Sequence, residues 1–279
     1  MNKWITAFLL IVAFLYYSNN FIEVSEHTLH SSKWPAELDG YRIIHLSDLH
    51  NKSFGKNQSR LIKKIQDLNP DLIVMTGDVI DRRHYKKQPA TRLMEACVDI
   101  ATTAYVTGNH EVWHGSASAL RAELETLGVI VLNNETVNIS NDLGTFTISG
   151  IADRADFMGQ YDYELMLNRL SDASKDLTYK DQYHILLSHR PEQFEAYAEA
   201  KYDLALSGHS HGGQFRFPFI GGLIAPDQGL FPKYDGGLYE MGDSQMVVSR
   251  GLGNSLMPFR LYNQPEIPVI SLYSKKTGH

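Results

Sequence analysis

The chain has 279 residues, 43% of them hydrophobic and 21% charged, with a formal net charge of -6. That balance is globular rather than disordered, suits one sizeable domain or two small ones, and argues against nucleic acid as a bulk partner. The single cysteine, Cys97, excludes an intrachain disulfide and a cysteine-rich zinc site; its apolar neighbours Leu93, Ala96 and Ile100 predict a buried thiol on a helix face.

Lys3 precedes an almost wholly apolar run, Trp4 to Tyr17. As helix this run covers about 21 Å, short of the roughly 30 Å hydrocarbon core, and extension to Phe21-Ile22 gives a marginal span. No small-x-small cleavage site and no twin-arginine pair follow it. Residues 1–20 are therefore expected to form an uncleaved signal anchor, a transmembrane helix; a buried helix of a soluble protein is the alternative. Positive charge before the run and none after it until Lys33 places the catalytic part outside the cytoplasm.

Residues 21–40 read as a stalk or an edge strand, with a turn at Trp34-Pro35 and Asp39-Gly40. From residue 41 to 279 the pattern is that of a catalytic domain. Tyr41 to Leu46 is a short strand. Gln58 to Leu68 is an amphipathic helix with Leu61, Ile62, Ile65 and Leu68 on one face, closed by Asn69-Pro70. Asp71 to Met75 is a buried strand, Pro89 to Ile100 a helix, Thr103 to Val106 a strand, and Ser116 to Leu127 a helix stopped by Gly128. Shorter strands follow at Val129 to Leu132, Val137 to Ile139 and Thr145 to Ile151. Tyr161 to Leu170 is helical, His184 to Leu187 a strand, Pro191 to Ala200 a helix, and Asp203 to Leu206 a strand. The tail from Phe215 is rich in Gly, Pro and aromatics and ends in strands at Gln245 to Val248 and Ile267 to Tyr273. Alternating strands and helices, then a strand-rich tail, predict two sheets packed face to face with helices outside.

Five of these strands end in polar side chains. The first exits into Ser47-Asp48-Leu49-His50, the next into Thr76-Gly77-Asp78, the third into Gly108-Asn109-His110-Glu111. The strand from His184 exits into Ser188-His189, and that from Asp203 into Gly208-His209-Ser210-His211. Residues two apart on extended chain share a face, so Asp48 with His50, and His209 with His211, reach common points. Open α/β sheets build their sites at such strand ends. Taken singly, each piece reads equally well as a turn or a structural histidine. Together, Asp48, His50, Asp78, Asn109, His189, His209 and His211 offer seven oxygen and nitrogen ligands and no sulfur. One ion rarely needs so many; two ions sharing a carboxylate do, and imidazole with carboxylate suits Mn, Fe or Zn.

The motifs Asp48-x-His50, Gly77-Asp78, Gly108-Asn109-His110-Glu111, His189 and Gly208-His209-x-His211, in this order and spacing, resemble the five blocks of calcineurin-like metallophosphoesterases. Gly212-Gly213-Gln214, Ser249-Arg250-Gly251-Leu252-Gly253 and Pro265-Glu266-Ile267 are similar to the membrane-anchored bacterial YkuE/YaeI-like phosphodiesterase branch. The resemblance implies a four-layer αββα sandwich and a dinuclear metal centre that hydrolyses a phosphodiester, phosphomonoester or pyrophosphate bond through a metal-bridging hydroxide. Phospholipid or lipid-linked substrates of the cell envelope are among those it allows. By position it implies Asp48, His50 and His211 on one ion, Asn109, His189 and His209 on the other, and Asp78 bridging. It further implies that Asn109 touches substrate and that His110 contacts the leaving-group oxygen, able to hand over a proton if protonated. Glu111 is expected either to help His110 or to begin an irregular loop. No obligate protein partner is evident.

Gly208-His209-Ser210-His211-Gly212 also reads as the Gly-x-Ser-x-Gly elbow of α/β-hydrolases, but no helix start follows and the sole later histidine is His279. A metal-free scaffold that lost catalysis is a third reading, opposed by the intact ligand set. Arg82, Arg83, Lys86 and Lys87 form either a solvated loop or an anion-attracting cluster. Phe215, Phe217, Phe219 and Phe231 form either hairpins covering a sheet edge or an apolar rim. His84 and His114 match no ligand position and are expected at the surface.

Overall fold

The computed structural model describes residues 3–153, 168, 182–255 and 257–275. The chain begins with α1 (Lys3–Asn20) and β1 (Glu23–Ser31), followed by β2 (Tyr41–Leu46), α2 (Ser59–Asp67), β3 (Leu72–Thr76), α3 (Gln88–Ile100) and β4 (Thr102–Val106). Next come α4 (Asn109–His114), α5 (Ala117–Thr126), β5 (Ile130–Val131), β6 (Glu135–Ser140), β7 (Thr145–Gly150), β8 (His184–Leu187), α6 (Phe194–Glu199) and β9 (Leu204–Ser207). The aromatic tail folds into two-residue ladders, β10 (Arg216–Phe217) with β11 (Gly221–Gly222) and β12 (Ile224–Ala225) with β13 (Gly229–Leu230). It closes with β14 (Gly237–Met241), β15 (Ser244–Val248) and β16 (Glu266–Ser274). The helix expected over Tyr161 to Leu170 falls, but for the helical Asn168, outside the described residues.

Two six-stranded sheets result, ordered β1-β16-β2-β3-β4-β5 and β14-β15-β9-β8-β7-β6. Strands β2 to β5 run parallel, as do β7, β8, β9 and β15. The side-chain period of two sorts each strand between layers. In β2, Ile43 packs between the sheets with Val74, Ala104, Ile185 and Leu206, while Ile44 packs outward with Leu61, Ile65, Leu93 and Cys97 of α2 and α3. On the far side, Leu186, Ala205 and Met246 meet Phe194 and Tyr197 of α6. Helices thus cover both outer faces of a paired sheet, and Cys97 is buried on α3, its thiol pushed up to about 12 by burial.

Residues 21–40 contribute β1, an edge strand that pairs in parallel with β16 along its whole length. The first helix departs from expectation. No helix among the described residues is long and apolar enough to cross a membrane. The 18 residues of α1 would span about 27 Å, and Lys3 and the Ser18-Asn19-Asn20 end shorten the apolar part further. Nor is α1 a buried helix: Trp4 is 81% exposed and Phe8 63%. Its C-terminal end is fastened instead. Asn19 Oδ1 accepts N–H groups from Arg260 (2.9 Å) and Asn254 (3.1 Å), Lys52 Nζ donates to the Asn19 carbonyl, and the Phe14 ring lies 5.0 Å from Tyr262.

Candidate metal centre

The five polar strand exits converge. Strands β2, β3 and β4 are neighbours in one sheet, β8 and β9 in the other, so their C-terminal loops meet across the end of the sandwich. Close backbone approach is built in. A Cβ on Gly208 would overlap Ser47 Oγ and crowd Asp48 Oδ2, and one on Gly108 would overlap the Asp78 carboxylate. Five of the seven predicted ligands, Asp48, His50, Asp78, His209 and His211, have positive φ between 44° and 66°. Asp and His tolerate that left-handed region better than most residues, at a cost of roughly 1–3 kcal/mol each. The long axis of each strand is thereby broken just where a side chain has to turn inward.

All seven predicted ligands are buried, and they fall into two groups. In the first, His50 Nε2 is 3.0 Å from His211 Nε2, and Asp48 Oδ1 is 3.2 Å from His211 Nε2 and 3.8 Å from His50 Nε2. In the second, His189 Nε2 is 3.1 Å from both Asn109 Oδ1 and His209 Nδ1. Asp78 Oδ2 belongs to both, 3.5 Å from His50 Nε2 and 3.4 Å from His189 Nε2. The same sets, Asp48-His50-Asp78-His211 and Asp78-His189-His209, have ligand atoms close enough to hold a cation.

The donor chemistry fits divalent ions. Asp48 Oδ1 is buried without a hydrogen bond, although an imidazole nitrogen lies beside it. The Nε2 atoms of His50 and His211 face each other at 3.0 Å, so both rings present a nitrogen to one point. The remaining ligand atoms are tied back. His189 Nδ1 donates to the Thr76 carbonyl (2.6 Å), which reserves Nε2 for the cluster. Asp48 Oδ2 accepts Ser47 Oγ–H and the His209 N–H, and Asp78 Oδ1 accepts the His110 N–H. Burial opposes ionisation of both aspartates, yet His211 holds Asp48, and His189 holds Asp78, well below the usual carboxylate range. Burial, reinforced by the Arg190 charge, lowers His209 to about 4, whereas at His189 the Asp78 carboxylate outweighs burial and raises the ring to about 10, a proton that a divalent ion would have to displace.

A sequence model of calcineurin-like phosphoesterases matches residues 41–213, the stretch that carries all of these loops. The chain belongs to the calcineurin-like phosphoesterase family. YkuE of Bacillus subtilis (strain 168), an uncharacterized metallophosphoesterase, is 32% identical to this phosphoesterase over 268 residues, covering 93% of this chain and 88% of YkuE. YkoQ of the same strain is 30% identical over 271 residues, covering 94% and 95%. The likeness puts this phosphoesterase on the YkuE branch. The crystal structure of TT1561 of Thermus thermophilus shares the fold, with a TM-score of 0.53 at 16% identity over 76% of this chain and 90% of that one.

Residues of this phosphoesterase outside the predicted ligand set take the following places. Glu111 opens no irregular loop: it lies in the first turn of α4. Its Oε2 accepts the N–H groups of Asp78 (2.9 Å) and Gly108 (2.8 Å), and its Oε1 that of Ile80 (3.2 Å), binding the loops after β3 and β4 together. Ser210 is no nucleophile: its buried Oγ donates to the Tyr234 carbonyl (2.6 Å), while the His211 ring faces Asp48. The basic cluster is divided, with Lys87 on Glu123 and Arg82 over the Trp113 ring at 4.2 Å. His84 and His114 are exposed. Residues missed in the sequence are Asp81, 3.9 Å from both His50 Nδ1 and His110 Nδ1, and the buried pair Asp153 and Arg190. The spacing Asp78-x-x-Asp81 in the exit loop of β3 was a usable signal for the first. Arg190 directly follows His189, but nothing local announces its partner.

Proposed function

We propose that the protein is a metal-dependent phosphoric ester hydrolase that takes two divalent ions, Mn, Fe or Zn. Asp48, His50 and His211 would hold one, Asn109, His189 and His209 the other, with Asp78 shared. The observation that carries this reading is the position of Asp78 Oδ2 within 3.5 Å of an imidazole nitrogen from each group. Bound there, the ions supply Lewis acidity that activates water and offsets phosphoryl charge.

The chain's own groups do the rest. Asn109 is neutral, so it ligates through oxygen without cancelling positive charge, and its NH₂ is left to donate to a phosphoryl oxygen. His110 Nδ1 accepts the Arg82 backbone N–H (3.2 Å), which puts the ring proton on Nε2. Burial lowers His110 to about 4, so the ring works at neutral pH as a neutral donor from Nε2 to the leaving-group oxygen, not as a preformed imidazolium.

A lipid-linked or cell-envelope substrate, with the catalytic domain outside the cytoplasm, completes the proposal. Its support is exposed apolar surface that monomeric proteins seldom leave bare. Exposed Phe217, Phe219, Leu230 and Phe231 stand on the hairpins next to the His209-His211 loop, and Phe215 meets Phe259 at 5.6 Å on the way to Tyr262 and α1. α1, too short to cross, adds further exposed apolar side chains, among them Trp4, Phe8 and Leu10. The test is a panel of phosphomonoester, phosphodiester and lipid-pyrophosphate substrates with Mn²⁺ and with chelator, on the detergent-solubilised full chain. Hydrolysis that survives chelation overturns the reading.

A further inference from the structure

The β12–β13 hairpin comes from the aromatic tail, and its tip folds back onto the loop after β9. Gln228 Nε2 donates to Ser210 Oγ (3.0 Å), and Asp227 Oδ2 lies 3.0 Å from His209 Nε2. Arg190 sits between. Its Nε and Nη2 donate to Asp153 (2.6 and 3.0 Å), and its Nη1 donates to Asp227 and lies 3.0 Å from His209 Nε2. Glu192, His209 and Asp227 could by themselves hold a cation, but the Arg190 guanidinium fills that position, with Nη1 3.8 Å from Glu192.

His209 Nε2 thus has two competing partners. If it accepts from Arg190, the ring proton sits on Nδ1, the atom that faces His189, and His209 cannot serve as a ligand. If it donates to Asp227, Nδ1 keeps its lone pair. We propose that Asp227 is a positioning residue that sets the ligating tautomer of His209, with Arg190 and Asp153 holding its carboxylate in place. Ligating histidines are generally oriented by such a partner on the other ring nitrogen, and removing it weakens metal affinity 10–100-fold. The inference rests on the two-ion reading above.

The test is Mn²⁺ titration calorimetry on the full chain, paired with nitrogen-15 histidine shifts of the metal-free protein. Asp227→Ala is expected to weaken one of two sites 10–100-fold, to leave the other within twofold, and to move the His209 proton to Nδ1. Asp227→Asn keeps the shape and tests the point if the alanine variant does not fold; both readouts are expected to move the same way by less. Two unchanged sites, equal loss at both, or an unmoved tautomer overturns the proposal. A wild-type protein that binds fewer than two ions instead overturns the two-ion reading itself, whatever the variants do.

Discussion

Replacing Glu111 by glutamine separates two opposing effects of one buried carboxylate. Burial, then the neighbouring Asp78 charge, push its carboxyl up from 4.5 to about 7, while the N–H groups of Gly108 and Ile80 pull it down. Between those values the folded, metal-free chain holds a proton that the unfolded chain has released. The resulting stability is fully present below about pH 4.5 and is lost as pH rises through 7. At 1.36 kcal/mol per pH unit the loss is about 3 kcal/mol. Glutamine has no such pH dependence, but its one amide oxygen cannot accept all three N–H groups, and a stranded buried donor costs roughly 1–3 kcal/mol at any pH. In chelator at pH 5 the variant is therefore expected to melt below wild type. By pH 8 the gap should close or reverse, a relative movement of roughly 6–12 °C for a chain of this size. Calorimetric melts of both proteins at the two pH values measure it. An equal melting gap at pH 5 and pH 8 refutes the assignment of a costly buried charge to Glu111.

Three further outcomes can be checked. His110→Ala is expected to keep its bound metal, measured by elemental analysis, while kcat falls roughly 10²–10³-fold, the loss of one donor to transition-state charge; Asp78→Ala, which removes the atom common to both groups, should lose metal, and equal metal loss in the two would defeat this division of roles. Gly208→Ala has no room beside Ser47 and Asp48 and should cost roughly 1–3 kcal/mol in melting experiments, with weakened metal binding; an unchanged melting temperature would show that the loop gives way freely. The full chain should float with phospholipid vesicles, and Phe219→Ser with Phe231→Ser should reduce that binding without changing turnover of a soluble phosphoester; unaltered flotation would separate the hairpins from the membrane.

The framework of the site was legible because strand ends announce themselves. Short apolar runs closed by Asp, Asn or His located β2, β3, β4, β8 and β9 to within a residue or two, and all seven predicted ligands lie where those runs stop. What joins the loops to each other was not legible. Glu111 satisfies backbone donors on three separate positions, and no periodicity records which N–H groups a buried carboxylate will find. The short helix α4 was hidden because its first turn is made of Asn109, His110 and Glu111, residues that a pattern search reads as polar loop. Asp227 lies among glycines and prolines that predict turns well and say nothing of what a turn rests on. A membrane-spanning reading of α1 fails for a simpler reason: its last turn, Ser18-Asn19-Asn20, is polar, and the fold uses Asn19 as a fastening to Lys52, Asn254 and Arg260.

The last strand, β16, is inserted between β1 and β2 and pairs with both. A ribosome delivers β1 before its ladder partner, which emerges only after β2 to β15. Until then the edge of β2 that β16 will occupy stands open, and Leu29, Tyr41 and Ile43 lack the cover that Ile270 and Leu272 later give them. Completion of this sheet thus waits until every strand of the second sheet has been made. Stalled or clipped chains lacking β16 would carry all seven predicted metal ligands and still present an unpaired strand edge, the surface that holding chaperones and proteases recognise.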